Sequence, residues 1–134
     1  MPPEFRDILR PVERNTQQRR AILRAFLKNP TPLSPQELLR TARPYARKLG
    51  IATVYRSIKS LIKEGALVAV KLPGAPDRYE PAGKHHHHHF ECSSCGRIFE
   101  VEGCRLNPAR LAPRGMRVDR HEVFLYGTCR TCAG

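Results

Sequence analysis

Two pairs of cysteines, each with two residues between its members, constrain this chain more than any other feature. The first pair is Cys92 and Cys95, followed by Gly96, and the second is Cys129 and Cys132. Four thiolates arranged in this way are typical of a tetrahedral zinc site, and a closed shell of four sulfurs leaves no position for water or substrate. The pattern therefore predicts a structural zinc, with a disulfide or a redox-active pair as the alternative.

Length and charge limit what else the chain can be. Its 134 residues allow one ordinary domain or two very small ones, which excludes a large catalytic fold. Of its 24 Lys and Arg residues, 16 precede residue 80, together with only 6 of its 12 acidic residues, whereas every Cys and His lies after residue 80. The first part therefore predicts a polyanionic partner, and metal chemistry is confined to the second part.

The sequence also predicts a cytoplasmic protein with no membrane partner and no small-molecule substrate. It has no uninterrupted apolar run of about 18 residues, and its N-terminus lacks the features of a signal peptide. In a reducing compartment, paired cysteines favour metal binding over disulfides.

The basic part has the pattern of a winged helix-turn-helix. Ser34, Pro35 and Glu37 form a capping box with proline in the first turn, and Gly65 is suited to a left-handed helix end. The third helix carries an apolar stripe of Ile51, Val54, Ile58, Leu61 and Ile62. Helices are predicted over residues 15–30, 34–43 and 51–64, followed by a hairpin of residues 67–70 and 78–80.

A cationic third helix followed by a hairpin predicts insertion into the major groove of double-stranded DNA. Thr53 and Tyr55 are the candidates for base contacts, although Tyr55 also suits a packing role. A solvated basic surface is the alternative for the charged residues. The candidates for phosphate contacts are Arg56, Lys59, Arg19 and Arg20.

Five consecutive histidines, His85 to His89, precede the first cysteine pair. In an extended segment, alternate side chains point to opposite faces, so one strand can serve two metal centres. His86 and His88 would face one way, and His85, His87 and His89 the other. Further candidate ligands are His121, Glu80 and Glu100, while Cys104 suits either a ligand or a buried small residue. The alternative is a surface histidine tract with weak metal affinity.

Five motifs in order resemble the ferric uptake regulator family of metal-dependent repressors. They are residues 51–56 (IATVYR), residues 78–80 (RYE), the histidine run, the first cysteine pair with Gly96, and Tyr126-Gly127 before the second pair. The resemblance covers residues 14–132. It implies an α+β homodimer, with a winged-helix DNA-binding domain at residues 1–80 and a small α/β metal-binding dimerisation domain with a structural zinc at residues 81–134.

The resemblance also implies which residues form each of three metal sites. The structural zinc falls on Cys92, Cys95, Cys129 and Cys132. The sensory hinge site falls on Glu80, His87, His89 and Glu100, and a third site falls partly on His86, His88 and His121.

The chain departs from the family pattern at two places. Pro32 stands where iron- and peroxide-sensing members supply another histidine, which disfavours peroxide sensing. Asn107 stands where the third site takes a carboxylate, so that Glu102 or Cys104 would have to substitute.

Two imidazoles and two carboxylates suit tetrahedral zinc and also accept iron(II) or manganese with added water. The predicted function is a metal-responsive repressor of metal-homeostasis genes, with zinc preferred and iron or manganese as the alternative regulatory metal. An enzyme is disfavoured because no catalytic zinc motif is present. A zinc-stabilised interaction or storage module without a metal switch is the remaining alternative.

Overall fold

The computed structural model describes residues 16–29 and 31–134, which form two compact units separated between Lys84 and His85. Asn15 and Pro30, the predicted start and stop of the first helix, lie outside the described residues. Among the described helices, none has the length and apolar character needed to cross a lipid bilayer. The assignment of residues 1–80 to DNA binding and of residues 81–134 to dimerisation stays a prediction.

The first unit consists of helices followed by a hairpin. Its elements are α1 (Thr16–Lys28), α2 (Pro35–Ala42), a 3₁₀ turn (Arg43–Tyr45), α3 (Ile51–Lys63), β1 (Leu67–Val70) and β2 (Arg78–Pro81). The two strands pair antiparallel, with Val68 opposite Glu80. The helices and the hairpin expected from the sequence are therefore confirmed.

Local chemistry explains where these helices begin and end. The Ser34 hydroxyl accepts a hydrogen bond from Glu37 N–H, and the Glu37 carboxylate accepts one from Ser34 N–H, so the predicted capping box starts α2. Gly65 follows α3 with a φ of 79°, a conformation that costs glycine little.

The core of the first unit contains apolar side chains from all three helices and from β1, including Ile22, Leu38 and Leu67. On α3 the buried residues are Val54, Ile58 and Leu61, as the predicted stripe requires. The prediction was wrong for Ile51 and Ile62, which are 39% and 40% exposed. Ile51 begins the helix, where side chains point back beyond its first turn, and Ile62 lies a third of a turn around from Leu61.

An ion pair joins the hairpin to α2. Arg78 on β2 donates to both carboxylate oxygens of Glu37, at 2.8 and 2.6 Å, and the two side chains are only 16% and 23% exposed. Bidentate Arg–carboxylate pairs of this kind are stronger than single contacts in water. Glu37 therefore stabilises both the start of α2 and the position of the wing.

We predict that Glu37→Gln will lower the free energy of unfolding by about 1–2 kcal/mol, because it removes the charge but keeps an acceptor for the cap. The measurement is urea unfolding of zinc-loaded protein, followed by far-ultraviolet circular dichroism. Asp77→Asn is the matched control, since the Lys71–Asp77 pair is 3.9 Å long and exposed; it should change stability by less than about 0.5 kcal/mol. Equal effects of the two substitutions would contradict the assignment.

The second unit is built around a three-stranded sheet with strand order β4-β3-β5. Its elements are β3 (His88–Cys92), β4 (Ile98–Val101), α4 (Pro108–Leu111), β5 (Phe124–Gly127) and α5 (Arg130–Ala133). β3 pairs antiparallel with β4 and parallel with β5. The chain is therefore α+β, as expected, with the histidine segment leading into the central strand.

The sequence predicts strands over residues 118–126 and through the histidine run, and both predictions need correction. Residues 118–123 are not part of β5, which begins at Phe124. The polar residues 119–122 do not suit a strand, and the His121 ring contacts other histidines instead. Likewise β3 begins only at His88, and residues 85–87 precede it without ladder pairing.

Candidate metal centres

The four paired cysteines lie together in the second unit. Their sulfur atoms are all within 4.8 Å of one another, and the distance from Cys95 Sγ to Cys129 Sγ is 3.9 Å. Tetrahedral zinc with Zn–S bonds of about 2.3 Å places neighbouring sulfurs about 3.8 Å apart. The donor set and its spacing therefore fit a structural zinc, and all five cysteines of the chain are free thiols rather than disulfides.

Two tight turns bring the cysteines together. Cys92 ends β3, and the following turn closes with a hydrogen bond from Gly96 N–H to Cys92 O, with Gly96 at a φ of 73°. Cys129 is the N-cap of α5, and its sulfur accepts from Cys132 N–H at 3.5 Å. Each pair is thus a backbone loop with its sulfurs directed to one point.

Backbone donors prepare Cys92 for metal binding. The N–H groups of Cys129, at 3.2 Å, and Cys95 direct their hydrogens at the Cys92 sulfur and lower the pKa of its thiol to about 6. Hydrogen bonds to the sulfurs of Cys129 and Cys92 act in the opposite direction on Cys132: they favour its protonated form and, together with burial, raise the pKa of its thiol to about 12.

A second group of candidate ligands combines His87, His89 and Glu100. His87 Nε2 lies 3.8 Å from Glu100 Oε1, the rings of His87 and His89 are 4.9 Å apart, and His89 is opposite Glu100 in the β3–β4 ladder. His87 Nδ1 lies 2.7 Å from the carbonyl oxygen of His85 and must donate to it. That bond places the proton on Nδ1 and leaves the Nε2 lone pair for a metal.

Glu80, the fourth predicted ligand of the sensory site, belongs to the first unit. It lies on β2 with 4% of its surface exposed, and Lys84 Nζ is 3.8 Å from its carboxylate. A buried carboxylate requires a compensating positive charge, which a lysine or a metal ion can provide.

A third group consists of His86, His88, His121 and Cys104, whose ligand atoms are all within 4.8 Å of one another. His121 Nε2 lies 3.1 Å from His86 Nε2 and 3.1 Å from Cys104 Sγ. The structure thus brings together the three histidines expected for a third site, and adds Cys104.

His88 is the most buried of these side chains, at 5% exposure. Its Nδ1 accepts from Val123 N–H at 3.1 Å, while its Nε2 is buried with no hydrogen-bond partner among the described residues. Burial, assisted by the neighbouring His86 and His121, lowers the pKa of His88. The neutral ring, which is the form that binds metals, is therefore favoured.

The sequence left two roles open for Cys104, a metal ligand or a buried small residue. It follows Gly103, whose φ of 71° turns the chain after β4. Glu102, the other substitute considered, is exposed and is not a member of the group. One sequence feature could have indicated Cys104 as a ligand. Asn107 stands where a carboxylate ligand is expected, so another residue close in space would have to replace that ligand.

The predicted DNA-contacting residues lie in the first unit. On α3, Tyr55, Arg56 and Lys59 are exposed, and Thr53 is half-buried with its hydroxyl 3.1 Å from the Arg56 guanidinium. On α1, Arg20 is exposed, whereas Arg19 forms a 2.6 Å ion pair with Glu64. The charge of Arg19 is therefore already partly balanced.

Sequence comparison matches residues 12–126 to the ferric uptake regulator family. The ferric uptake regulation protein of Campylobacter jejuni is 33% identical over 123 residues, covering 87% of this chain and 78% of that protein. The corresponding protein of Helicobacter pylori is 33% identical over 122 residues, covering 89% and 81%.

Solved structures agree with the sequence match. A zinc-bound manganese uptake regulator superposes with a TM-score of 0.78 at 28% identity, covering 87% of this chain and 91% of that one. The Helicobacter pylori ferric uptake regulator, described as having three functional metal-binding sites, superposes with a TM-score of 0.71 at 26% identity, covering 90% and 83%.

Fold and ligand groups together define a metal-binding transcription regulator. The chain belongs to the ferric uptake regulator family, whose members are metal-responsive, dimeric DNA-binding regulators and not enzymes.

We predict that the first equivalent of zinc bound by metal-free protein at pH 7 will release about three protons rather than four, because each ligating thiol must lose its proton and Cys92, with a pKa of about 6, has already lost most of its own. The release should rise toward four as the pH falls below 6. Calorimetry in buffers of different ionisation enthalpy gives the count. Four protons at both pH values would contradict the lowered pKa.

Proposed function

We propose that this protein is a cytoplasmic, zinc-sensing repressor that binds operator DNA as a homodimer and controls metal-homeostasis genes. The observation that carries the proposal is the presence of histidine and carboxylate groups beside, but separate from, the four-cysteine group. A closed four-sulfur site suits permanent zinc, whereas a site of imidazoles and carboxylates exchanges metal more readily and suits sensing.

The cationic face of α3 supports DNA recognition. Arg56 and Lys59 are exposed on the same helix as Tyr55, and a cationic helix in a winged-helix arrangement is suited to the major groove. Arg56 and Lys59 are assigned to phosphates, Thr53 and Tyr55 to bases. On α1, Arg20 is the better placed phosphate ligand, because Arg19 must first leave Glu64.

We predict that Arg56→Ala and Lys59→Ala will each weaken binding to a DNA duplex selected from a random pool by the zinc-loaded protein. Each should also reduce the slope of log affinity against log salt by about 1, because one phosphate contact is lost. Fluorescence anisotropy at several salt concentrations measures both quantities. Arg110→Ala, an exposed arginine of the second unit, is the control; an equal slope change in that variant would contradict the assignment.

The sensory site is assigned to Glu80, His87, His89 and Glu100. The first comes from the DNA-binding unit and the others from the metal-binding unit, so a metal that takes all four restrains one unit against the other. Differential affinity of the metal for that arrangement would shift the population toward the form that binds DNA.

Zinc is the preferred metal because two imidazoles and two carboxylates complete a tetrahedron without added ligands. Pro32, which is fully buried, offers no ligand where a further histidine would extend the coordination number. Iron is the second candidate, since the relatives from Campylobacter jejuni and Helicobacter pylori are ferric uptake regulation proteins. Refilling the washed protein with zinc and with iron(II) in separate titrations ranks the two metals.

We predict that the double variant His87→Ala/His89→Ala will lose metal-dependent DNA binding, because two of the four proposed ligands are gone, while one chelator-resistant zinc per chain remains. Anisotropy with and without added zinc, combined with elemental analysis, is the measurement. His85→Ala is the matched control, because it keeps the backbone carbonyl that holds His87. Unchanged zinc dependence in the double variant would refute the hinge site, and metal-independent, sequence-blind binding by the wild type would favour a module without a switch.

Exposed apolar residues of the second unit support its assignment to dimerisation. Leu111 and Met116 are 70% and 67% exposed, and β5, at the edge of the sheet, carries Leu125 and Tyr126 at 45% and 54%. Apolar side chains and an open sheet edge of this kind are suited to an interface with a second copy.

A further inference from the structure

We propose that Cys104 is the fourth ligand of the site formed by His86, His88 and His121, and that its thiolate favours zinc over manganese at this site. The inference deepens the proposed metal-binding function, on which it rests for the third site itself. It assigns to one residue of this chain a role that the resemblance left open between Glu102 and Cys104.

The contacts of His121 Nε2 point to a shared cation. This nitrogen lies 3.1 Å from both His86 Nε2 and Cys104 Sγ. A ring nitrogen has one lone pair or one hydrogen, so it forms one good hydrogen bond and cannot satisfy both neighbours. A cation bound by all three atoms removes the conflict, because neighbouring ligand nitrogens in tetrahedral zinc are about 3.3 Å apart.

The orphaned nitrogen of His88 points to the same cation. Its Nε2 is buried without a hydrogen-bond partner among the described residues, and its ring lies 4.6 Å from that of His86 and 5.1 Å from that of His121. A buried polar atom of this kind normally has a partner, and a metal ion shared with the neighbouring rings would be one. Because Nδ1 accepts from Val123 N–H, the proton of the neutral ring is on Nε2. Metal binding by Nε2 requires this proton to move to Nδ1, and the hydrogen bond from Val123 N–H must then break.

The chemistry of the fourth donor sets the metal preference. Cys104 is half-buried and belongs to the group, whereas the Glu102 side chain is exposed and does not. Thiolate is a soft ligand that favours zinc, cobalt and copper(I) over manganese and other hard cations, which prefer carboxylates. Three neutral imidazoles and one thiolate complete a four-coordinate shell around zinc.

Cobalt(II) is the probe that identifies the thiolate, because sulfur bonded to cobalt gives a charge-transfer absorption in the near ultraviolet that nitrogen and oxygen ligands do not give. Full-length protein is washed with a chelator so that the four-cysteine site keeps its zinc, and cobalt(II) is then titrated in. The same titration is made with Cys104→Ser and with Glu102→Gln, the matched control for the other candidate ligand.

We expect the wild type and Glu102→Gln to develop the charge-transfer band, and Cys104→Ser to lack it. The serine variant also accounts for any cobalt that enters the four-cysteine site, since that signal would persist. Competition with a zinc chelator should show that Cys104→Ser lowers zinc affinity at this site on the order of 100-fold or more. Loss of a residue that only hydrogen-bonds to a metal ligand already lowers metal affinity about 10–100-fold, and loss of a ligand should cost at least as much.

His121→Ala is the second variant, and it should lose the band as well, whether or not Cys104→Ser folds normally. A band of wild-type strength in Cys104→Ser, its absence from the wild type, or its loss in Glu102→Gln would each overturn the proposal. DNA binding is not part of this readout. A protein that shows the band but fails to bind DNA in response to zinc would refute the proposed function and leave the Cys104 site standing.

Discussion

The second unit depends on coordination of a metal by four thiolates more than on any apolar contact. It contains about 50 residues, a size at which a hydrophobic core alone rarely suffices, and its buried residues include Ile98 and two of the cysteines themselves. Zinc binding then stabilises the folded unit, because the metal binds the assembled thiols more tightly than it binds the unfolded chain. Zinc bound at these cysteines would therefore also hold the sheet that carries the histidines, because Cys92 ends β3.

Two-residue periodicity allows one short segment to contribute to two further sites. His86 and His88 meet His121, while His87 and His89 meet each other, and His87 approaches Glu100. The two groups share one backbone, so a metal in either of them orders residues that belong to the other.

Much of this architecture could be predicted because it depends on local chemistry. The capping box at Ser34, the left-handed glycine after α3 and the paired cysteines all act over a few residues, and each is readable in the sequence. The exposure of Ile51 and Ile62 depends on where the core ends. The late start of β5 depends on which residues pair with β3. Cys104 joins His121 through space, at a separation of 17 residues, and the spacing of residues along the chain does not reveal such a contact.

Thermodynamic reciprocity tests the proposed switch most directly. If zinc at the sensory site favours the DNA-binding form, then operator DNA must tighten zinc binding at that site by the same factor by which zinc tightens DNA binding. The measurement is the zinc affinity of chelator-washed protein, with its four-cysteine zinc retained, in the presence and absence of a saturating selected duplex. We predict equal factors, on the order of 10-fold or more. Zinc affinity that is unchanged by the duplex would contradict the switch.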